Sequence, residues 1–535
     1  MRKKLLLLSL VFIMIFSLAL TGCGNKETKD PSVNGENTTN DNSSNKPKEG
    51  GILTVALAAI PKTLDPVKYT GIYEGNVIHS IADNLVYYNK ALDKIIPGLA
   101  TDWEISEDLK TYKFTLRDDV YFQKGKFQDG RKMTSEDIKY SLERSAKESV
   151  MKRLRMLESV EIVSDTEIIC HLTEPNAAFL TVLTDSGNVI VPKEEVEGWG
   201  EDFGTHLVGT GPFVFKEWKN SDSVVLESSD NYWGEKPYLD GVVFKFITDQ
   251  NMMTNALRTG EIDVATDITG ESMQVIKADP NLVLNEKPAL KVIYMSMNLM
   301  EGPTKDPKVR EAIISAIDID AMVKGLYPWG EAQRAYLALP PGSWGYDTSL
   351  EKKVPKYDPK RAKELMEEAG YSDGFQTEIY VAGSDKAAVI IQDYLKKNLK
   401  IDMKINLLEW GTFSEVVSKG KAPMYAMSWT WYPDPDFFLY QMFHSNQIGS
   451  LGNGQGFNDS RVDELLDKAV SETADQNERA ELYKEALNII TENNGRVNFA
   501  NGKIIDGTNK KVHDFERSAD GTIFITNPEI NVWKE

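Results

Sequence analysis

The chain has 535 residues and a formal net charge of −20, from 81 acidic and 61 basic side chains. An acidic excess of this size argues against nucleic acid as a partner and against electrostatic binding to anionic lipid. The length suits two or three domains, and 41% hydrophobic with 27% charged residues is an ordinary globular composition.

The N-terminus has the pattern of a secretory signal. Residues 2–4 are basic, and residues 5–20 form an apolar run shorter than the about 20 residues that a membrane-spanning helix needs. Residues 20–23, Leu-Thr-Gly-Cys, are similar to the bacterial lipobox. We expect residues 1–22 to be a signal peptide and Cys23 to carry the lipid. The alternative is an uncleaved N-terminal anchor.

The segment after Cys23 is predicted to be a disordered linker, over residues 23–49. It is rich in Asn, Ser, Thr, Lys and acids, and Val33 is its only sizeable apolar residue, so it cannot bury enough surface to offset the entropy of ordering. A single acyl chain binds a membrane only marginally, so stable anchoring takes two or more chains. The resemblance to bacterial lipoproteins implies that this protein also carries several acyl chains. Cys170 is the second of two cysteines, and we therefore expect no intramolecular disulfide.

Alternation of apolar and polar residues predicts strands in the first half of the body. Tyr112, Phe114 and Leu116 alternate with Lys113 and Thr115, as in a half-buried strand. Further strands are predicted at residues 52–57, 158–173 (a pair meeting at Ser164-Asp165), 212–215, 223–227 and 241–248. Residues 134–137 have capping-box spacing before a helix.

The second half is predicted to be more helical. Residues 310–317 carry apolar side chains at helical spacing, and Asp318 is placed to cap the following helix. Asp358-Pro359 begins another helix, and Gly370 follows it as a stop signal. Two further apolar stripes are read as core: Val462, Leu465, Leu466 and Ala469, and then Leu482, Ala486, Leu487 and Ile490.

No catalytic, metal or cofactor site is predicted. The five histidines, His79, His171, His206, His444 and His513, lack metal-ligand spacing, and no phosphate-binding loop is present. Ser418 to Lys421 fits a Ser-x-x-Lys pattern, which alone is far more often a solvated turn than a nucleophile.

One aromatic loop, over residues 429–438, is the candidate ligand site. It combines aromatic rings, prolines and acids in ten residues, which can offer stacking and hydrogen bonds to a polar organic ligand. The alternative is a loop whose rings fill the core. The candidate ligand-binding residues are Trp429, Trp431, Tyr432, Asp434 and Asp436.

Several motifs, taken in order, resemble the extracytoplasmic solute-binding proteins of the oligopeptide, dipeptide and nickel importer group. These motifs cover nearly the whole body of the chain. Their order and spacing, taken together, indicate the family more specifically than any single motif does. They are Thr63-Leu64-Asp65-Pro66, residues 97–104 (Pro-Gly-Leu-Ala-Thr-Asp-Trp-Glu), Phe114 to Arg117 with Val120 and Phe122, residues 134–137, Val208 to Phe213, Asn231-Tyr232-Trp233-Gly234, Gly260-Glu261-Ile262-Asp263, residues 309–312, residues 316–318, and Tyr432-Pro433-Asp434-Pro435-Asp436.

The resemblance implies an α/β fold, in which two lobes of the class II periplasmic-binding-protein type carry an extra domain inserted in the N-terminal lobe. The implied boundaries are 50–95, 213–302 and 500–535 for lobe one, 96–212 for the inserted domain and 303–499 for lobe two. The structural motif Gly209, Thr210, Gly211 and Pro212 is expected where the chain returns from the insertion, because glycines suit a tight backbone passage.

The function implied by the resemblance is binding without chemistry. The two lobes would close on a solute, and the leading candidate for that solute is a short peptide. The closed form would then dock on the permease subunits of an ABC importer whose ATPases are cytoplasmic. No cofactor and no nucleic acid is implied. The protein is expected outside the cytoplasm, on the outer face of the cell membrane.

The loop departs from the family pattern at one position. In peptide-binding members an Asp directly before the Tyr holds the ligand's amino group, whereas here Trp431 precedes Tyr432. Either Asp434 or Asp436 takes that role, or the ligand has no such amine, as in an oligosaccharide. A hydrolase and a receptor that senses peptides without importing them are the remaining alternatives.

Overall fold

The computed structural model describes residues 46–535. The predicted signal peptide, Cys23 and most of the linker lie outside the described residues. Within them, the strands form an 11-stranded sheet, a four-stranded sheet and three two-stranded sheets. The strands are β1 (Ile52–Leu57), β2 (Val86–Tyr88), β3 (Ile95–Pro97), β4 (Ala100–Ile105), β5 (Thr111–Leu116), β6 (Leu157–Ser164), β7 (Glu167–Leu172), β8 (Phe213–Lys219), β9 (Ser223–Ser228), β10 (Gly241–Phe246), β11 (Val264–Ala265), β12 (Leu282–Met297), β13 (Ala332–Arg334), β14 (Gln376–Ala382), β15 (Asp402–Leu408), β16 (Met424–Thr430), β17 (Arg496–Asn509), β18 (Val512–His513), β19 (Thr526–Asn527), β20 (Ile530–Asn531) and β21 (Trp533–Lys534).

Helices pack against these sheets, and over residues 46–535 none of them has both the length and the apolar character to span a membrane. They are α1 (Ile72–Ile81), α2 (Ser135–Glu148), α3 (Phe179–Leu183), α4 (Lys193–Trp199), α5 (Gln250–Thr259), α6 (Glu271–Ala278), α7 (Pro307–Ser315), α8 (Ile319–Leu326), α9 (Pro359–Glu368), α10 (Lys386–Leu399), α11 (Trp410–Ser418), α12 (Asp436–Phe443), α13 (Ser460–Ser471) and α14 (Gln476–Asn493).

Local signals predicted several of these elements. Strand β1 has the predicted bounds, and β5 buries Tyr112, Phe114 and Leu116. The predicted capping box is present, with Thr134 as N-cap of α2 and the Asp137 carboxylate accepting from the Thr134 N–H. These signals succeed because they depend on neighbours within a few residues.

The helix predictions for the second half are also confirmed, with one shift. Asp318 caps α8, and Asp358 caps α9 with Pro359 as its first residue. Gly370 follows with φ of +83°, a conformation that favours glycine. Helix α7 ends at Ser315, two residues before the predicted end.

Two long strands, β12 and β17, link the two lobes and were not predicted. They pair with each other in antiparallel fashion. The C-terminal part of β12 also pairs with β16, whereas the C-terminal end of β17 pairs with β11. The large sheet therefore runs in the order β15-β14-β16-β12-β17-β11-β1-β10-β9-β8. We call the half with β14 to β16 lobe two and the half with β1 and β8 to β11 lobe one; the boundaries given above stay predictions.

A separate antiparallel sheet, in the order β4-β5-β7-β6, forms the core of the inserted domain with α2. Cys170 on β7 is buried there as a free thiol, so no disulfide is formed among the described residues. This domain meets lobe one at the end of α1, where the glycine motif lies.

The glycine motif makes a close backbone contact with the end of α1. The Gly211 N–H donates to the Ile81 carbonyl at 2.9 Å, and a Cβ at Gly211 would lie 2.6 Å from the Ile81 carbonyl carbon. The Gln123 side chain, from the inserted domain, donates to the Ile81 and Gly211 carbonyls at 3.0 Å each. Pro212 then leads directly into β8. Only a residue without a side chain fits so near another backbone.

Candidate functional site

A cavity of about 270 Å³ lies between the lobes. Its wall combines the start of α1, two segments near the inserted domain, the end of β16 with the loop after it, and a C-terminal turn. The lining residues are Tyr69, Thr70, Gly71, Ile72, Gly75, His79, Met151, Arg153, Thr184, Asp185, Ser186, Thr430, Trp431, Tyr432, Asp520 and Thr522.

A hydrogen bond crosses from lobe two to the opposite wall of this cavity. The Tyr432 hydroxyl donates to Asp185 Oδ2 at 2.5 Å and accepts from Arg153 Nε at 3.0 Å. Arg153 Nε also lies 2.9 Å from Asp185 Oδ2. The lobes are thus held together by a buried carboxylate that contacts a cation and a phenol.

Asp185 is itself fixed on the lobe-one side. Its Oδ1 accepts from the Tyr69 hydroxyl and from the Gly187 N–H, both at 2.7 Å, and its backbone carbonyl accepts from the Asn84 side chain. The Arg153 guanidinium lies over the Tyr69 ring, 4.7 Å from the centroid. This wall is therefore held by hydrogen bonds that do not involve Tyr432.

Burial and charge shift the proton affinities in this cluster. Desolvation, and then the nearby Asp185 carboxylate, hold the pKa values of Tyr69 and Tyr432 well above their usual range. Burial lowers the pKa of Arg153, but Asp185, Tyr432 and Tyr69 more than offset that, so its pKa is raised overall. Both phenols are therefore neutral donors, and Arg153 is a permanent cation, at physiological pH.

His79, in the last turn of α1, is another titratable group in this wall. It is buried, its Nδ1 has no hydrogen-bond partner among the described residues, and its ring packs against Phe524 at 4.9 Å. Desolvation lowers its pKa to about 4, against the opposing effect of Asp185. The imidazole that lines the cavity is therefore neutral at pH 7.

Two of the five predicted ligand-binding residues, Trp431 and Tyr432, line the cavity. The Trp431 ring packs nearly parallel to Trp429 and Phe437, at centroid distances of 5.6 and 6.0 Å, and edge-on to Tyr432. Trp429 does not line the cavity, and its indole N–H donates to the Phe437 carbonyl at 3.0 Å. The aromatic cluster therefore supports the cavity wall more than it offers open ring faces.

The structure places Asp434 away from the cavity, in a buried ion pair. Arg479 Nη1 lies 2.8 Å from Asp434 Oδ2, and Arg479 Nη2 donates to Oδ1 at 3.0 Å. Oδ1 also accepts from the Asp436 N–H. Because both oxygens are engaged, this geometry favours a structural role for Asp434 over the ligand contact that the sequence predicted.

Asp436, the first residue of α12, also lies outside the cavity lining. Its Oδ1 is buried and accepts no hydrogen bond from a described residue. Desolvation, and then the neighbouring Asp434 carboxylate, raise its pKa to about 7. A carboxyl with a pKa this high is only partly ionised at pH 7, which makes it a weaker partner for an ammonium group.

Sequence reasoning missed most of the cavity wall. Arg153, Asp185 and Asp520 belong to no local motif, and they lie 30 or more positions from one another. His79 was identified only as one of five scattered histidines. Only the loop at Trp431 carried a local signal, its unusual density of rings and prolines.

Within residues 46–535, no group of three or more His, Cys, Asp or Glu side chains is arranged to hold a metal ion. Ser418 is the last residue of α11, and Lys421 follows in the next turn, outside the cavity lining.

Residues 94–450 match the family model described as bacterial extracellular solute-binding proteins, family 5. The match covers more than half of the chain. The chain belongs to this family. A family 5 protein binds a solute outside the cytoplasm, so the resemblance seen in the sequence motifs is confirmed.

Curated relatives align with most of the chain. The dipeptide-binding protein of Escherichia coli is 28% identical over 85% of this chain and 90% of its own length. The glutathione-binding protein GsiB of Salmonella paratyphi A is 30% identical over 86% of this chain and 91% of its own.

A solved family 5 structure confirms the predicted fold class. The periplasmic binding protein DppA of Helicobacter pylori, solved in complex with the peptide STSA, has a TM-score of 0.74 and 30% identity. The alignment covers 91% of this chain and 99% of that one. The two-lobe α/β architecture with an inserted domain is therefore the fold of this protein.

Proposed function

We propose that this family 5 protein is a receptor for short peptides, which it encloses between its lobes and delivers to an ABC importer. The observation that carries the proposal is the cavity closed by the Tyr432–Asp185 contact, with walls from both lobes. Its volume of about 270 Å³ is near the lower end of the roughly 300–1,000 Å³ typical of small-molecule pockets. Among peptides, a cavity of this size suits a short one and not a long one.

Two considerations favour a peptide over an oligosaccharide. Relatives over most of the chain are named for dipeptide and glutathione binding. Sugar recognition usually exposes an aromatic face, and the Trp431 ring here packs against three protein rings. Hydrogen-bonding groups such as Thr430, Ser186 and Thr522 instead suit peptide amides.

The direct test is identification of what the purified protein retains. A mixed library of di- to hexapeptides is passed over the immobilised protein, and bound molecules are identified by mass spectrometry. Retention of short peptides supports the proposal. Retention of oligosaccharides with no peptide would refute it.

Tyr432→Phe should open the lobes. The change removes the one phenol hydroxyl that joins lobe two to Asp185, and hydrogen bonds to charged groups contribute about 1.5–3 kcal/mol. Peptide affinity should fall roughly tenfold or more, and small-angle scattering of the ligand-free protein should show a larger radius of gyration.

Tyr69→Phe is the matched control for that experiment. It removes a hydrogen bond to the same Asp185 carboxylate, but from a residue on the lobe-one side. The radius of gyration should therefore stay at the wild-type value. An equal opening in both variants would show that Tyr432 is not a closing contact.

We further propose that Cys23 anchors the receptor to the outer face of the cell membrane. The support is the lipobox-like sequence before Cys23 and the polar linker after it. Cys23→Ser should abolish incorporation of labelled fatty acid and release the protein from membranes. Continued membrane retention without label would favour an uncleaved anchor instead.

A further inference from the structure

The cavity has an unbalanced negative charge. Besides His79, the acidic and basic side chains that line it are Arg153, Asp185 and Asp520. Asp185 and Arg153 neutralise each other at 2.9 Å. The one negative charge that remains is on Asp520, which lies in the segment between β18 and β19.

Asp520 is held in place by its own turn. Its Oδ1 accepts from the Thr522 N–H at 2.9 Å, and the Gly521 N–H donates to the Ser518 carbonyl at 2.9 Å. No cationic side chain of residues 46–535 lies within ion-pair distance of this carboxylate, and its Oδ2 accepts no hydrogen bond from them. The carboxylate is half-buried, its Oδ1 is fixed by the turn, and its Oδ2 is free to accept a hydrogen bond from a ligand.

His79 is a second polar group in the same wall that awaits a partner. Its side chain is 6% exposed, and its Nδ1 contacts no hydrogen-bonding group of the described residues. Because the imidazole is neutral at pH 7, it does not balance Asp520. Instead it can exchange a hydrogen bond with a polar group of the solute.

We propose that Asp520 binds a positively charged amine of the solute, which for a peptide is its N-terminal ammonium. This inference rests on the proposed function, and it moves the amine-binding role from Asp434 and Asp436 to the C-terminal turn of lobe one. Oδ2 of Asp520 accepts from the ammonium, and His79 lies in the same wall to contact the neighbouring polar atoms.

The test compares pairs of tripeptides that differ only in N-acetylation, offered as one library to each protein variant. Wild type should retain the free-amine member of each pair roughly tenfold or more over the acetylated member, as expected for a charge-assisted hydrogen bond. Asp520→Asn should bring that ratio close to one. The asparagine keeps an oxygen for the Thr522 N–H, so the turn survives.

Two controls separate charge from folding. Asp118→Asn removes the same charge from an exposed site of the inserted domain and should leave the ratio unchanged. Asp520→Glu keeps the charge and should restore a preference for the free amine. Thermal unfolding of each variant shows whether it is folded.

Each outcome decides the inference. An undiminished preference for free amines in Asp520→Asn overturns it while leaving peptide binding intact. Equal retention of both members by wild type overturns it as well. If wild type retains no peptide of either kind, the proposed function itself fails and the inference falls with it.

Discussion

Asp434→Asn will lower the free energy of unfolding by about 3–5 kcal/mol, because it leaves a buried guanidinium without its counter-charge. Arg479 is 5% exposed, and its other hydrogen bonds go to the Ala469 carbonyl and the Tyr483 hydroxyl, which are uncharged. Urea denaturation followed by tryptophan fluorescence measures the loss.

Asp402→Asn is the matched control for that prediction. It breaks an ion pair with Lys396 in which both side chains are more than half exposed, so solvent already screens the interaction. Little change is expected. A similarly small change for Asp434→Asn would show that the buried pair does not stabilise the loop.

Asp436→Asn will stabilise the protein at pH 8, by up to about 4 kcal/mol. The pKa of Asp436 in the folded protein is about 7, against 3.8 as the usual value. The folded state therefore binds this proton more tightly than the unfolded state, and stability from this site falls as the pH rises from about 4 to about 7. Each tenfold change in proton affinity corresponds to about 1.4 kcal/mol, and asparagine avoids the loss.

The measurement is the urea midpoint of wild type and variant between pH 4 and pH 8. The two curves should meet near pH 4 and separate as the pH rises. No described group donates a hydrogen bond to the Asp436 side chain, so the amide loses no partner. Glu367→Gln, at an exposed site of α9, should show no such separation; parallel curves for Asp436→Asn would contradict the prediction.

The two acids of the same loop thus have opposite effects on stability. Asp434 has a buried cation against it, whereas Asp436 has a neighbouring carboxylate and an unpaired oxygen. The sequence Asp-Pro-Asp gives no indication of this difference, because Arg479 lies 45 positions further along the chain.

Local sequence patterns predicted some elements of the fold, such as β1, β5 and the capped helices α2, α8 and α9, but not the strands that join the lobes. Strand β12 contains Pro288 and strand β17 contains Gly502 and Gly507, residues that weaken a strand prediction. These strands form because each pairs with distant partners, with irregularities in register near Pro288 that accommodate it. Strand pairing between residues about two hundred positions apart cannot be predicted from the pattern of a few neighbouring residues.

The sequence by itself determined the capped helices, the alternating strands and the motifs that identify the family, because each depends on residues near one another in the chain. Only the tertiary structure decided which side chains form the cavity. Folding places Trp431 and Tyr432 in the cavity wall together with Asp185 and Asp520. It also pairs Asp434 with Arg479 outside the cavity. Charge pairing and burial set these roles, and both depend on partners that only folding brings together.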